Sequence, residues 1–352
     1  MRCSFLVPGE LGTRTGGYTY DRSIIDGLRA RQWQVDVPSL GGGWPVPGEA
    51  SKAMAESVVE SLPDEALVVV DGLAFGAMPG LAESHAKRLR WVALVHHPLA
   101  LETGLDPGLR AALFDSERRA LAFARGVIVT SPSTARALAA YQVPASRITV
   151  VEPGTAPAAL AAGSGSGVLS LLCVATVTPR KGHALLSDAL AGLRDRRWVL
   201  HCAGSLTMDA ACAAALVEAI DRCGMRDRIV LHGEQDEAGL RALYARADAF
   251  VLPSFHEGYG MALAVALAHG LPVVSTTAGA IPDTVPSDAG VLVPPGDGPA
   301  LRAALQRLMD DAAWRSKLAA GAREARKRLP TWEDSTARFE AALRAVQGAL
   351  GT

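Results

Sequence analysis

"HEGYGMALAVALAHGLPVVSTTAGAIPDTV", His256 to Val285, is the stretch on which the reading of the whole chain turns. From Gly258 to Pro282 it contains no Asp, Glu, Lys or Arg. Roughly 20 apolar residues cross a bilayer, so a membrane span is one explanation. A buried core segment and a ligand cradle whose charges stand elsewhere are the others. Gly270-Leu271-Pro272 would break a spanning helix in its middle, and Ser275-Thr276-Thr277 adds polar groups with no apolar return. The pattern instead predicts a loop over 256–260, a helix over 261–269, a turn over 270–272 and a strand over 272–276. Gly258 and Gly260 let backbone approach a ligand, and the helix starting near Met261 turns its free N–H groups towards it. A phosphate held in this way needs no local basic side chain, while the helix behind it packs inside a domain and is apolar. Glu257 then reads either as a partner for hydroxyl groups or as a cap for that helix.

The rest of the chain suits a cradle better than a membrane. At 352 residues it exceeds what one core usually supports, so two domains are expected. Hydrophobic residues at 49% and charged residues at 20% fit a globular protein and argue against disorder. A formal net charge of −1 gives no broad attraction to nucleic acid. The five cysteines, Cys3, Cys173, Cys202, Cys212 and Cys223, show no CxxC spacing and mostly sit in apolar runs. They predict neither a disulfide framework nor a zinc cage. The apolar stretch after Met1 is too short for a signal peptide, and a reducing cytoplasm is the expected location.

Short β-like runs alternate with helical patterns in two series. The first comprises 4–7, 34–38, 67–70, 91–95, 126–130 and 148–151, with a helix over about 18–30. Ala156–Gly167, APAALAAGSGSG, has the composition of a flexible linker. The alternation then restarts with 169–175, 198–203, 229–232, 249–253, 272–275 and 290–293. Strands separated by helices predict parallel sheets covered on both faces. The expected architecture is α/β: two doubly wound, Rossmann-like domains, 1–160 and 167–330, facing across a cleft, followed by an amphipathic helix over Thr331–Leu350. Ligands of open α/β sheets bind beyond the carboxyl ends of the strands, which directs attention to the residues there.

Arg180 and Lys181 precede the helical run Ala184–Leu193 and read either as an anion site at a helix N-terminus or as a solvated pair before an ordinary cap. His96-His97 ends a strand of the first domain, as a functional pair or as satisfied structural residues. Thr15-Gly16-Gly17 occupies the first strand–helix turn but lacks GxGxxG, and Asp36 is a weak match for a ribose acid. No spacing supports a metal site, and none is expected.

Taken together these residues resemble the family-4 retaining glycosyltransferases, which have the two-domain GT-B fold. The likeness rests on Gly16-Gly17, His96, "VVEPGT" (150–155), "TPRKGH" (178–183) and the opening stretch, and it covers nearly the full length. The resemblance implies that the last helix crosses back to the first domain. It also implies transfer of a hexose from a nucleotide-diphosphate sugar, with retention and without an essential metal or other cofactor, to a carbohydrate, lipid or small-molecule acceptor. Lys181, helped by Arg180, would hold the diphosphate, and Gly16-Gly17 would close over it. Gly204 and His232-Gly233 would line the nucleoside pocket. Glu257 would contact sugar hydroxyls, with the amides of Tyr259, Gly260 and Met261 beside them, and His96 rather than His97 would meet the sugar. Stabilising a departing diphosphate with fixed cations and dipoles is the main electrostatic task of such a site.

Two positions depart from the family pattern. Val265 stands where the family commonly has a second Glu that grips the ribose, and Thr176 stands where an Arg is frequent. Val265 keeps open a weakened or inactive relative as the alternative, beside a GT-B-like phosphorylase or epimerase. Lys87-Arg88-Arg90 and the region Arg110–Arg125 with Leu113 and Phe114 are candidate surfaces for peripheral contact with the inner face of a membrane.

Overall fold

The computed structural model describes residues 1–348. The chain divides into two compact units, one formed by Met1–Gly154 with the segment from Pro330 onward, the other by Thr155–Leu329. In the first unit the strands are β1 (Arg2–Leu6), β2 (Gln34–Asp36), β3 (Leu67–Asp71), β4 (Arg90–Val95), β5 (Gly126–Val129) and β6 (Ile148–Val150). They form one parallel sheet in the order β2-β1-β3-β4-β5-β6. In the second unit β7 (Leu169–Val174), β8 (Trp198–Ala203), β9 (Ile229–Gly233), β10 (Ala249–Leu252), β11 (Val273–Thr276) and β12 (Gly290–Val293) form another, β12-β11-β10-β7-β8-β9. The order reverses beside β1 in one sheet and beside β7 in the other, as in a doubly wound fold. The central strands are buried along their length, which is why they read as unbroken apolar runs such as Val68-Val69-Val70.

Strand ends begin the helices in both units. Asp71 at the end of β3 accepts a bond from Leu73 N, and Ser131 after β5 accepts one from Thr134 N. These caps satisfy backbone N–H groups that the helix itself leaves open. In the first unit the helix Gly16–Ala30 packs its stripe Tyr20, Ile24, Ile25 and Leu28 against Phe5, Phe339 and Leu343. The last two residues belong to the helix Trp332–Gly348, so the C-terminal segment completes the first core rather than the second. The two helices meet closely at Gly27, where a Cβ would lie 2.2 Å from Thr336 Oγ1. Phe339 is fully buried against Phe5; truncating such a side chain costs about 3–5 kcal/mol. Positions 349 and 350 of the expected helix lie outside the described residues.

Two sequence expectations change. The helix over 18–30 starts two residues earlier because the Thr15 hydroxyl accepts from Tyr18 N, so Gly16 and Gly17 form a first helical turn rather than a loop. The run Ala156–Gly167 is irregular but anchored to the second unit. Ala161 N bonds to His269 O, Ala162 N to Ala245 O and Ser164 N to Asp248. Its small residues permit this close approach: a Cβ on Gly163 would sit 2.6 Å from Asp248 Oδ1. Among the described residues no helix is long and apolar enough to cross a membrane. The charge-free stretch instead contains the eight-residue helix Met261–Ala268 and the buried β11.

Candidate functional site

In the second unit the chemistry gathers at the ends of β7 and β10. After β7 the residues Pro179–Lys181 form one 3-10 turn, and Gly182 at φ 73° separates it from the helix His183–Ala191. A side chain at 182 would drive its Cβ to 2.3 Å from Pro253 O. The turn is thereby pressed against the segment that follows β10, and Phe255 N bonds to Arg180 O. Both cations stand just before that helix, as the sequence predicts, in a short turn of their own.

That contact pairs the two predicted elements directly. Lys181 Nζ donates to Glu257 Oε1 at 2.6 Å, and the Ser254 hydroxyl donates to the same oxygen at 2.7 Å. Arg180 Nη1 donates to His256 O at 2.9 Å and lies 3.8 Å from Glu257 Oε2. Burial alone would raise the Glu257 carboxyl, but the charges of Lys181 and Arg180 hold it below its ordinary range. Burial lowers the Lys181 ammonium, with Glu257 opposing. The carboxylate is therefore ionised and fixed, and it does not cap the following helix. That helix, Met261–Ala268, has Gly260 at φ 91° as its N-cap and no side-chain bond to its first amides. Gly258, Tyr259 and Gly260 form the turn that leads into this helix at Met261, steadied by Thr284 Oγ1 donating to Tyr259 O.

Gly204 and His232-Gly233 meet at the ends of β8 and β9, where Gly204 N bonds to Gly233 O. Gly204, at φ 151°, passes so close to β7 that a Cβ would be 2.0 Å from Ala175 O. His232 Nε2 lies 2.9 Å from His201 Nδ1, a pairing that the sequence pattern does not signal. Val265 is half-buried on the helix Met261–Ala268 and packs against the core; it offers no acceptor.

In the first unit His96 follows β4 and Gly17 lies against its ring, a Cβ there falling 3.6 Å from Nε2. His96 Nε2 lies 3.2 Å from Asp21 Oδ1 and 3.4 Å from Asp71 Oδ2. Burial would depress the imidazole, but hydrogen bonds and charge from the two carboxylates push it up to about 10. Burial raises Asp21 to about 6 despite its bond to His96. The His96 carbonyl accepts from Thr130 and Thr134, and the Tyr20 ring meets the imidazole edge-on. His97 turns elsewhere and pairs with Glu102 at 3.3 Å. The sequence reading missed Asp21 and Asp71. A helical wheel could have flagged Asp21, the one acid on an otherwise apolar stripe.

Two groups bring three metal-compatible atoms within 4.8 Å of one another: Cys173, His183 and Cys202, and Asp21, Asp71 and His96. His183 Nδ1 is buried with no acceptor, so the second shell that orients a ligating imidazole is missing. In the other group both carboxylates converge on a single ring nitrogen, which is the geometry of proton sharing rather than of a common ion. Asp36 pairs with Arg2 at an exposed edge. Of the candidate membrane cations, Arg88 donates to Val59 O and Leu62 O and Arg90 pairs with Glu65. Leu113 is buried, and Phe114 lines an apolar groove of about 680 Å³ with Leu101 and Tyr141.

Two family models match the chain: "Glycosyl transferases group 1" over residues 169–311 and "Glycosyltransferase Family 4" over residues 66–158. A D-inositol 3-phosphate glycosyltransferase of Salinispora tropica is 30% identical over 266 residues, 66% of this chain and 55% of that protein. One of Xylanimonas cellulosilytica is 38% identical over 117 residues, 33% of this chain and 28% of that protein. The matched chain thus spans about half or less of these relatives' length. Among solved structures, sucrose-phosphate synthase from Thermosynechococcus elongatus superposes with a TM-score of 0.83 at 22% identity, covering 99% of this chain and 100% of the other. Anabaena HepE in complex with UDP and glucose gives 0.77 at 18% identity, covering 97% and 99%. At these identities the structures establish the fold, which is GT-B.

Proposed function

Because the chain belongs to the family-4 glycosyltransferases, we propose that it moves a hexose from a nucleotide-diphosphate sugar to a hydroxyl acceptor, with retention and without an essential metal. The observation that carries this reading is the contact of Lys181 with Glu257 beside the uncapped helix start at Gly260. Lys181, Arg180 and the N-terminus of the helix Met261–Ala268 would neutralise a departing diphosphate, and Glu257 would accept bonds from sugar hydroxyls. Gly204 and the His201–His232 pair would border the base. In the first unit Gly16-Gly17 leaves room beside His96, which would donate to a sugar oxygen. HepE, which shares the fold, is solved in complex with UDP and glucose, and a relative is named D-inositol 3-phosphate glycosyltransferase; both support this substrate class.

One observation favours a second reading. Val265 supplies no acceptor where a ribose carboxylate partner is common, which suits a weakened or inactive relative. A thermal-shift panel of UDP-, GDP- and ADP-sugars, followed by hydrolysis of the best stabiliser, separates the two. Stabilisation with slow donor hydrolysis supports the enzyme; stabilisation with no turnover supports the inactive relative. No response to any sugar nucleotide defeats both.

A further inference from the structure

We infer that Asp21 is the positioning residue of the candidate site in the first unit: with Asp71 it occupies the Nε2 side of His96, confining that ring to donating from Nδ1. This inference rests on the proposed sugar chemistry for its purpose, though not for its geometry.

Asp21 lies on the inward stripe of the helix Gly16–Ala30, whose other buried members are Tyr20, Ile24, Ile25 and Leu28. It is completely buried, and one of its two carboxylate oxygens, Oδ2, has no hydrogen-bond partner. A carboxylate so placed is costly, and an apolar residue would pack the same position at lower cost. The stripe therefore carries an acid against the needs of the core. Its Oδ1 lies 3.2 Å from His96 Nε2, and its carboxyl also meets that of Asp71. Asp71 reaches the same nitrogen with Oδ2 while its Oδ1 holds Leu73 N, so it too is fixed.

One Nε2–H shared by two carboxylates leaves Nδ1 as the nitrogen able to meet a ligand, and the ring is 19% exposed. Near neutral pH the imidazole carries both protons. Nδ1 then presents an N–H, a donor to a sugar oxygen, and has no lone pair with which to remove a proton from an acceptor hydroxyl. No proton leaves His96 during turnover; in the proposed transfer the acceptor's proton goes instead to an oxygen of the departing diphosphate. The titratable groups facing this ring are Asp21 and Tyr20 from the helix Gly16–Ala30 and Asp71 from the end of β3. The Tyr20 hydroxyl, which donates to Val151 O, is raised by burial and by Asp21.

The test is a ring-nitrogen NMR titration of the full chain labelled at histidine, with His96→Gln identifying the signal, in the native chain and in Asp21→Asn. The native ring should remain doubly protonated past about pH 8, and Asp21→Asn should lower its midpoint by about 1–3 units. Asp21→Glu, which restores the charge on a longer arm, should recover part of the shift. In donor hydrolysis, native kcat should stay level from about pH 7 to about pH 9. In Asp21→Asn it should fall as pH rises through the lowered midpoint, with KM little changed. An identical midpoint in native and Asp21→Asn chains of equal Tm overturns the inference. A shifted midpoint with no turnover of any sugar nucleotide upholds the clamp and overturns the proposed function instead.

Discussion

Lys181 Nζ lies 2.6 Å from Glu257 Oε1, joining the turn after β7 to the loop after β10. Both side chains are largely buried, so each is the other's main electrostatic partner. Breaking such a pair from one side typically costs about 3–5 kcal/mol, because the remaining charge is stranded. Lys181→Ala should therefore lower the urea midpoint and remove stabilisation by sugar nucleotide. Glu257→Gln, which still accepts from Lys181 and Ser254, should lose turnover with a smaller loss of stability. Equal midpoints for Lys181→Ala and the native chain would show that the pair contributes nothing to the fold.

Gly182→Ala tests the turn that presents Lys181. A left-handed backbone and a Cβ 2.3 Å from Pro253 O both oppose the substitution. The expected loss is about 2 kcal/mol or more, with weaker nucleotide binding, because the turn must lift off the β10 loop. Unaltered Tm and unaltered nucleotide response would refute this account of the turn.

Val265→Glu restores an acceptor on the helix Met261–Ala268. Position 265 is half-buried, so the longer side chain has a route to solvent. Nucleotide binding should tighten by on the order of 1–3 kcal/mol, or activity should rise. Isothermal titration with UDP and GDP checks it; unchanged or weaker affinity sinks the idea.

Glu117 provides a pH test away from the site. It is fully buried, accepts from Leu99 N, and leaves Oε1 without a partner. Burial raises its carboxyl from 4.5 to about 8. The folded chain resists an ionisation that the unfolded chain undergoes freely, so stability present at low pH is lost between about 4.5 and about 8. Glu117→Gln should have a Tm that exceeds the native value by a margin growing across that window. A margin that stays flat from pH 5 to about pH 8 would contradict the raised carboxyl.

Much of this protein was legible because its signals are local. Val68-Val69-Val70 could only be a strand buried on both faces, and Gly270-Leu271-Pro272 could only end a helix. Gly258 and Gly260 marked a close backbone approach without reference to anything distant. Residues that act through partners far along the chain were legible only as types. Glu257 read as a lone carboxylate because Lys181 is 76 residues away. Asp21 went unread because His96 is 75 residues away. The small residues of Ala156–Gly167 signalled freedom, yet they serve close packing on His269, Ala245 and Asp248.

By itself the amino-acid order determined the alternation of strand and helix, the two parallel sheets and the glycine turns, since these follow from side-chain periodicity and backbone sterics within a few residues. Only the tertiary structure decided which charges face each other: Lys181 with Glu257, and Asp21 and Asp71 with His96. Coulomb energy and desolvation depend on distance through space and on burial, and neither is written along the chain.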